Sequence, residues 1–130
     1  MKKIAVFVSG GGSNFKAIHH KIQKREIPGE IVLVISNNPN CGAIEYANEN
    51  SISHVIINET RYPNPHTRGE LLTDTCLKAE INLICLAGYM KMLPPAFVKQ
   101  YENKILNIHP GLLPEFGGKG FLECGCMKLL

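Results

Sequence analysis

The sequence lacks a long apolar run. No stretch of its 130 residues approaches the roughly 18 consecutive apolar residues that a membrane-spanning helix needs. The first three residues, Met-Lys-Lys, lead directly into a strand-like segment, without the apolar core and small-residue exit of a cleavable leader. These absences predict no membrane association and a cytoplasmic protein. An organelle is the alternative if a transit segment has been removed.

The sequence also lacks a concentration of positive charge. The net charge is only +3, and the basic residues cluster only at Lys2-Lys3 and at residues 21–25. Proteins that bind nucleic acid usually concentrate far more positive charge on one face. We therefore expect no nucleic-acid partner. A monomer or weak dimer that acts on small molecules is a separate expectation, which the charge does not decide.

Cysteine is scarce and poorly spaced for cross-linking. There are five cysteines, an odd number, and Cys41, Cys76 and Cys85 are widely scattered, as reduced thiols are. Cys124 and Cys126 form a C-x-C pair, but no Cys or His pair at metal-site spacing accompanies them. The sequence therefore predicts neither a disulfide framework nor a bound metal.

What the sequence does contain is an alternation of apolar runs and amphipathic segments within the length of one domain. The predicted strands are 4–8, 31–35, 54–57, 83–87 and 105–108, and the predicted helices are 14–25, 43–50, 67–79 and 94–101. Right-handed crossovers between such strands give an α/β, Rossmann-like fold with a mostly parallel open sheet and helices on both faces. Ligands of such sheets bind beyond the carboxyl ends of the strands.

A glycine-rich turn, Ser9-Gly10-Gly11-Gly12-Ser13-Asn14, follows the first predicted strand. Consecutive glycines let the backbone approach a ligand, and the next helix directs unpaired N–H groups and the positive end of its dipole to the same place. The turn predicts an anion site. It has neither G-x-G-x-x-G spacing nor the lysine of a P-loop, so a dinucleotide or a nucleoside triphosphate is not indicated. The alternative is a tight turn in which Ser13 or Asn14 caps the helix.

A second candidate site ends the fifth predicted strand. Asn107 and His109 are two residues apart, so in an extended chain their side chains project to the same side. A carboxamide donor beside an imidazole suits acyl transfer, because one stabilises a developing oxyanion and the other moves a proton. The alternative is a structural pair that fixes a turn before Pro110. The remaining histidines are predicted to lie at the surface: His19, His20, His54 and His66.

The loop from Gly88 to Pro94 and the arginines Arg61 and Arg68 are further candidates. The loop is either a substrate-lining segment or an ordinary strand-to-helix connection, and its composition does not decide between them. Either arginine could meet an acidic ligand, although an exposed arginine without a partner is the commoner case.

Three motifs together resemble the phosphoribosylglycinamide formyltransferases of purine synthesis. They are S-G-G-G-S-N after the first strand, L-A-G-Y-M-K-M-L-P after the fourth and N-I-H-P-G-L-L-P after the fifth, in family order over residues 2–120. The resemblance implies transfer of a formyl group from 10-formyltetrahydrofolate to the amine of glycinamide ribonucleotide, a step of de novo purine (IMP) synthesis.

The resemblance also implies roles for particular residues, although the loop around Pro63 and Pro65 does not align cleanly and leaves open which arginine meets the folate. Catalysis would fall to Asn107 and His109. The ribonucleotide would be held by Gly11, Gly12, Ser13, Asn14 and Pro110, and the folate by Met90, Lys91, Met92 and Leu93 with Asn107 and Arg68.

The sequence departs from the family near its end. Family members continue with a strand and loop that carry an aspartate partner of the histidine, whereas here residues 122–130 diverge and no aspartate follows Asp74. We expect a formyltransferase N-terminal domain over residues 1–121, a poorly ordered tail over 122–130, and little or no transferase activity from this truncated form alone. The alternatives are a formyltetrahydrofolate hydrolase-like enzyme and a non-catalytic fragment that binds phosphate or nucleotide.

Overall fold

The computed structural model describes residues 2–109 and 126–129. The strands are β1 (Lys3–Val8), β2 (Glu30–Ser36), β3 (Ser53–Ile56), β4 (Leu83–Ala87), β5 (Ile105–His109) and β6 (Cys126–Leu129). The helices are α1 (Ser13–Gln23), α2 (Gly42–Glu49), α3 (Pro65–Lys78) and α4 (Pro95–Gln100). Every predicted strand and helix is present, with bounds that differ by at most two residues at either end.

The strands form one sheet in the order β3-β2-β1-β4-β5-β6. β1 to β5 pair in parallel, and β6 pairs antiparallel with β5. The predicted mostly parallel, Rossmann-like sheet is confirmed. The chain order reverses between β1 and β4, and the crevice beyond such a reversal is where open α/β sheets bind ligands.

Helices cover both faces of the sheet. Alternation along β1 turns Val6 and Val8 toward a core shared with α1 and α2, and turns Phe7 toward a core shared with α3 and α4. The helices contribute the buried side chains Phe15, Ile18, Ala43, Ile44 and Ala47 to the first core and Leu72, Cys76 and Phe97 to the second. The near-continuous burial along β1 and β4 is typical of parallel strands with helices on both sides.

The described part of the tail forms a short strand. Residues 126–129 form β6 and pair with 106–109 of β5. The outer edge of β5 carries main-chain N–H and C=O groups that need partners, and a short strand supplies them whatever the side chains are. Among the described residues, no helix has both the length and the apolar character to cross a lipid bilayer.

Tyr101 provides a stability prediction in the second core. Its ring packs against Phe97, it is 3% exposed, and its hydroxyl has no hydrogen-bond partner among the described residues. Burial raises the pKa of Tyr101 to about 12, so the group stays a neutral phenol. Tyr101→Phe removes a buried unsatisfied polar atom and is expected to raise the free energy of unfolding by about 1 kcal/mol. Urea unfolding measures this change. A decrease of similar size in the free energy of unfolding would show that the hydroxyl has a partner in the folded protein.

His19 differs from its predicted surface role. Its Nδ1 lies 2.6 Å from the Tyr46 hydroxyl, so the contact joins α1 to α2, and the Tyr46 ring also meets Phe15 edge-on at 5.2 Å. The Nδ1 of a neutral imidazole can accept a hydrogen bond from the tyrosine hydroxyl, whereas an imidazolium cannot accept one. Partial burial, and then the neighbouring His20, lower the pKa of His19 below 6.5.

This lowered pKa predicts a pH dependence. The folded state binds the His19 proton less tightly than the unfolded chain, so stability is fully present above pH 6.5 and declines as the pH falls through the lower folded pKa. His19→Gln is expected to flatten this part of the curve of melting temperature against pH. The curves of the variant and the wild type between pH about 7.5 and about 5 provide the test. Parallel curves would show that His19 does not cause the dependence.

Candidate functional site at the carboxyl edge of the sheet

The glycine turn connects β1 to α1. Gly12 caps the amino end of α1 in the left-handed conformation, with φ 80°, and no side chain makes a capping hydrogen bond there. The alternative interpretation, in which Ser13 or Asn14 caps the helix, is therefore wrong. The N–H groups of the first turn of α1 are without a side-chain cap, and that turn contains no acidic residue. Such a turn can bind an anion through its main chain.

The amino end of α2 supports the glycine turn from behind. The Ala43 N–H donates to the Gly10 carbonyl at 3.3 Å, and a Cβ on Gly12 would come within 2.7 Å of the Ala43 Cβ. A Cβ on Gly42 would likewise lie 3.2 Å from the Gly11 carbonyl oxygen. The positive ends of two helix dipoles therefore lie beside the same turn. The space next to Gly10 and Gly11 is open, with no heavy atom within 4 Å of an added Cβ.

A cavity of about 950 Å³ opens at the same edge, on the side of α3 and α4. The loop after β4 forms one wall with residues 89–94, and the first half of α3 forms another. α3 begins here because the Asn64 carboxamide oxygen accepts from the His66 and Thr67 N–H groups at 2.9 and 3.0 Å, with Pro65 in the first helical position. The predicted folate-site residues Met90 to Leu93 and Arg68 all line this cavity.

The cations around the cavity differ in their partners. Lys91 Nζ lies 3.5 Å from a Glu59 carboxylate oxygen, and His66 Nε2 lies 3.5 Å from Glu70. Arg68 instead donates to the carbonyls of Tyr62 at 2.7 Å and Pro63 at 3.4 Å, and has no carboxylate partner in the described part of the chain. These carbonyls orient the guanidinium without neutralising its charge, so Arg68 can attract a carboxylate into the cavity.

Tyr89 forms the inner part of the cavity wall. Its ring meets the buried Phe7 edge-on, with ring centroids 5.3 Å apart, which ties the loop after β4 to the second core. Burial raises the pKa of Tyr89, and the positive charge of Arg68 opposes that rise only in part. The phenol therefore stays protonated at neutral pH and can act as a hydrogen-bond donor.

Asn107 lies near the carboxyl end of β5, next to Leu86 of β4. It is half-buried and lies on the sheet face of α3 and α4, because Ile105 faces that core and Ile108 faces the other. Its carboxamide makes no hydrogen bond to the side chains of residues 2–108. The main chain of His109 ends β5, while its side chain and all of Pro110 lie outside the described residues.

The predicted sites therefore share one edge but are not in one pocket. β4 separates β1 from β5, so Phe7 of β1 and Asn107 of β5 are level and two strand spacings apart, about 10 Å, and the glycine turn lies beyond Phe7. Neither Gly11 to Asn14 nor Asn107 lines the cavity. Sequence analysis missed the roles of Ser9, Asn37 and Asn58, which connect the strand ends through side-chain hydrogen bonds. Their position directly after strands is the one signal that could have indicated them.

Comparison with known families gives a match over most of the chain. The formyl transferase family matches residues 2–123. The chain is 41% identical over 120 residues to the chloroplastic phosphoribosylglycinamide formyltransferase of Vigna unguiculata. This alignment covers 92% of this chain and 38% of that protein. It is 37% identical over 118 residues to the phosphoribosylglycinamide formyltransferase of Haemophilus influenzae, covering 91% of this chain and 56% of that protein. The chain thus spans about two fifths to three fifths of these relatives.

Solved structures agree with the sequence relatives. The glycinamide ribonucleotide transformylase 1 of Geobacillus kaustophilus superimposes with a TM-score of 0.79 at 36% identity, over 92% of this chain and 64% of that one. The phosphoribosylglycinamide formyltransferase of Brucella melitensis gives a TM-score of 0.80 at 34% identity, over 90% and 61%. The carboxyl-edge site described above therefore lies on the same fold as these enzymes.

Proposed function

We propose, from the premise that the chain belongs to the formyl transferase family, that its carboxyl edge carries out glycinamide ribonucleotide transformylase chemistry. The formyl group would pass from 10-formyltetrahydrofolate to the amine of glycinamide ribonucleotide. The observation that carries the proposal is the presence of an uncapped glycine turn and a large cavity at one edge of the sheet. Two ligands held at that edge would meet near the end of β5.

The glycine turn is the proposed site of the ribonucleotide phosphate. Its support is the absence of a side-chain cap on α1, the open space beside Gly10 and Gly11, and the two helix dipoles directed at the turn. A phosphate there would accept main-chain N–H bonds, and Ser13 and Asn14 would add polar side chains. Only the phosphorylated substrate of the proposed reaction has such a group, which distinguishes this reading from a hydrolase.

The cavity is the proposed folate site. Its volume of about 950 Å³ suits a ligand larger than a single ring, and its wall offers the exposed methionines Met90 and Met92 for apolar contact. Arg68 is the arginine that we propose for the folate. The support is that Arg68 lines the cavity and has no carboxylate partner in the described part of the chain, while Arg61 is not part of the lining. Its guanidinium would bind a carboxylate of the folate glutamate.

Arg68→Ala is expected to weaken tetrahydrofolate binding by roughly 10- to 100-fold, since a hydrogen bond to a charged group contributes about 1.5–3 kcal/mol. Arg61→Ala is the matched control and should change binding little, because Arg61 is exposed and lies outside the cavity. Calorimetric titration measures both variants. Tetrahydropteroic acid, which keeps the reduced pterin and a benzoate carboxylate but has no glutamate, should bind equally to wild type and Arg68→Ala. An equal loss for both ligands would contradict a contact between Arg68 and the glutamate.

The proposed chemistry takes place at the end of β5. The substrate amine would attack the formyl carbon, Asn107 would donate a hydrogen bond to the oxyanion that forms, and His109 would assist as the proton passes from the attacking nitrogen to the departing folate nitrogen. What supports Asn107 in this role is its half-buried place near the carboxyl end of β5, next to Leu86 of β4. The proposal also includes small-molecule substrates and a monomeric or weakly dimeric state. The proposed location is the cytoplasm or an organelle.

The test combines binding with turnover. Calorimetry with glycinamide ribonucleotide should show one site per chain, and a formyl-transfer assay with 10-formyltetrahydrofolate should form formylglycinamide ribonucleotide. Binding of the ribonucleotide without turnover would favour a non-catalytic binding fragment. Release of formate without ribonucleotide binding would favour the hydrolase, and no binding of either ligand would refute the proposal.

A further inference from the structure

Ser9 joins the two halves of the carboxyl-edge site. It follows β1 directly and begins the glycine turn. Its Oγ donates a hydrogen bond to Asn37 Oδ1 at 2.5 Å and accepts one from the Met90 N–H at 2.8 Å. One hydroxyl therefore links the ends of β1, β2 and β4, and its link to Met90 reaches into the loop that forms the cavity wall.

The loop after β4 depends on few other contacts. Gly88 has φ 76°, with no heavy atom within 4 Å of an added Cβ, so the chain turns sharply there in open space. Met90 and Met92 are 80% and 94% exposed and do not anchor the loop by burial. Its side-chain anchors among the described residues are the Tyr89 ring on Phe7, Leu93 packed against the second core, and the long ion pair of Lys91. The hydrogen bond to Ser9 is thus a main-chain restraint on a lightly held segment.

The second partner of Ser9 also faces the cavity. Asn37 and Asn58 line it, and Asn58 Nδ2 donates to the Asn37 carbonyl at 3.0 Å. Because Ser9 occupies Asn37 Oδ1, the carboxamide is left with Nδ2 as its available donor, and this group has no partner among the described residues. A ligand acceptor atom in the cavity could take that hydrogen bond.

We propose that Ser9 is a positioning residue for the folate: it holds the main chain at Met90 and fixes the Asn37 carboxamide so that both are set before the ligand binds. The inference rests on the proposed function, which assigns folate to the cavity. Ser9 itself touches neither ligand in this account. Its hydroxyl restrains the cavity wall, and residues 10–14 of the glycine turn keep their own geometry from Gly12 and α2.

Three variants separate this role from a general effect on folding. Ser9→Ala removes the hydroxyl, Ser9→Thr keeps one, and Ser53→Ala is the matched control, because Ser53 is an exposed serine at the start of β3, on the opposite edge of the sheet. Two readouts are measured on each: hydrogen–deuterium exchange of the Met90 amide without ligand, and the Kd values of tetrahydrofolate and glycinamide ribonucleotide.

Ser9→Ala is expected to speed exchange of the Met90 amide and to raise the Kd of tetrahydrofolate roughly tenfold, with the Kd of the ribonucleotide unchanged. Ser9→Thr should restore both values, and Ser53→Ala should alter neither. Unchanged Met90 exchange in Ser9→Ala, or faster exchange with unchanged folate affinity, would overturn the inference. If neither the wild type nor any variant binds tetrahydrofolate, the assignment of folate to the cavity fails. The exchange rates of the Met90 amide then still decide whether Ser9 restrains the loop.

Discussion

Gly12→Ala is expected to lower the free energy of unfolding by about 3 kcal/mol. The new Cβ would lie 2.7 Å from the Ala43 Cβ and 3.0 Å from the Ala43 Cα, on a residue with φ 80°. A left-handed backbone costs a residue with a Cβ about 1–2 kcal/mol, and forcing an extra carbon into a packed contact costs about 1–3 kcal/mol. Both costs arise because α1 and α2 start side by side against the turn.

Gly10→Ala is the matched control. An added Cβ at Gly10 meets nothing within 4 Å, so the free energy of unfolding should change by no more than about 0.5 kcal/mol. Urea unfolding of both variants measures the difference. Ala43→Gly should cost less in the Gly12→Ala background than in the wild type, because it removes one of the two clashing atoms. Equal stability of the Gly10 and Gly12 variants would contradict the close approach of α2 to the turn.

Asn107→Ala is expected to reduce the rate of formyl transfer by about 10²- to 10³-fold, the usual effect of removing one donor to a developing oxyanion. The affinities for both substrates should change little, since the hydrogen bond forms mainly in the transition state. The rate should be measured in a single turnover with the protein in excess over the ribonucleotide, so that it reports the transfer step.

The matched control for this variant is Asn48→Ala. Asn48 is an exposed asparagine of α2, away from the end of β5, and its replacement should leave the rate unchanged. A rate for Asn107→Ala within a factor of two or so of the wild type would remove Asn107 from the proposed mechanism. Equal losses in both variants would indicate a change of overall fold rather than of transition-state stabilisation.

The strands and most helix bounds could be predicted because local chemistry fixes them. β4 has the predicted bounds, since its apolar run Leu83–Ala87 stops at Gly88, where the chain takes a positive φ. α3 starts two residues before its predicted start, because Asn64 caps it and Pro65 is accepted in the first turn. Both residues are visible in the sequence, so the start of α3 at Pro65 could have been predicted from capping chemistry.

The tail could not be predicted in the same way. Residues 126–129 pair with β5 through main-chain groups, and such pairing depends on a free sheet edge rather than on a local pattern. A four-residue strand with one partner also gives too short a periodicity to recognise. Its position follows from the tertiary structure.

The candidate site also has a part that could be predicted from the sequence and a part that could not. The glycine turn and Asn107 were predictable because strand ends of a parallel sheet meet at one edge, and the structure places both there. The cavity could not be predicted in this way, because it forms only where α3 packs beside the loop after β4. A Cβ added at Gly69 of α3 would lie 3.3 Å from the Pro94 Cβ. The contact between His19 and Tyr46 likewise joins two helices through residues that are 27 positions apart in the sequence, and no local signal indicates it.

The most direct test of the account is a backbone amide NMR titration of the chain with glycinamide ribonucleotide, followed by tetrahydrofolate. The first ligand should shift the amides of residues 10–14, and the second should shift those of residues 89–93 without displacing the first. Shifts confined to the amino edge of the sheet, or competition of both ligands for one set of amides, would contradict a shared edge with two separate subsites.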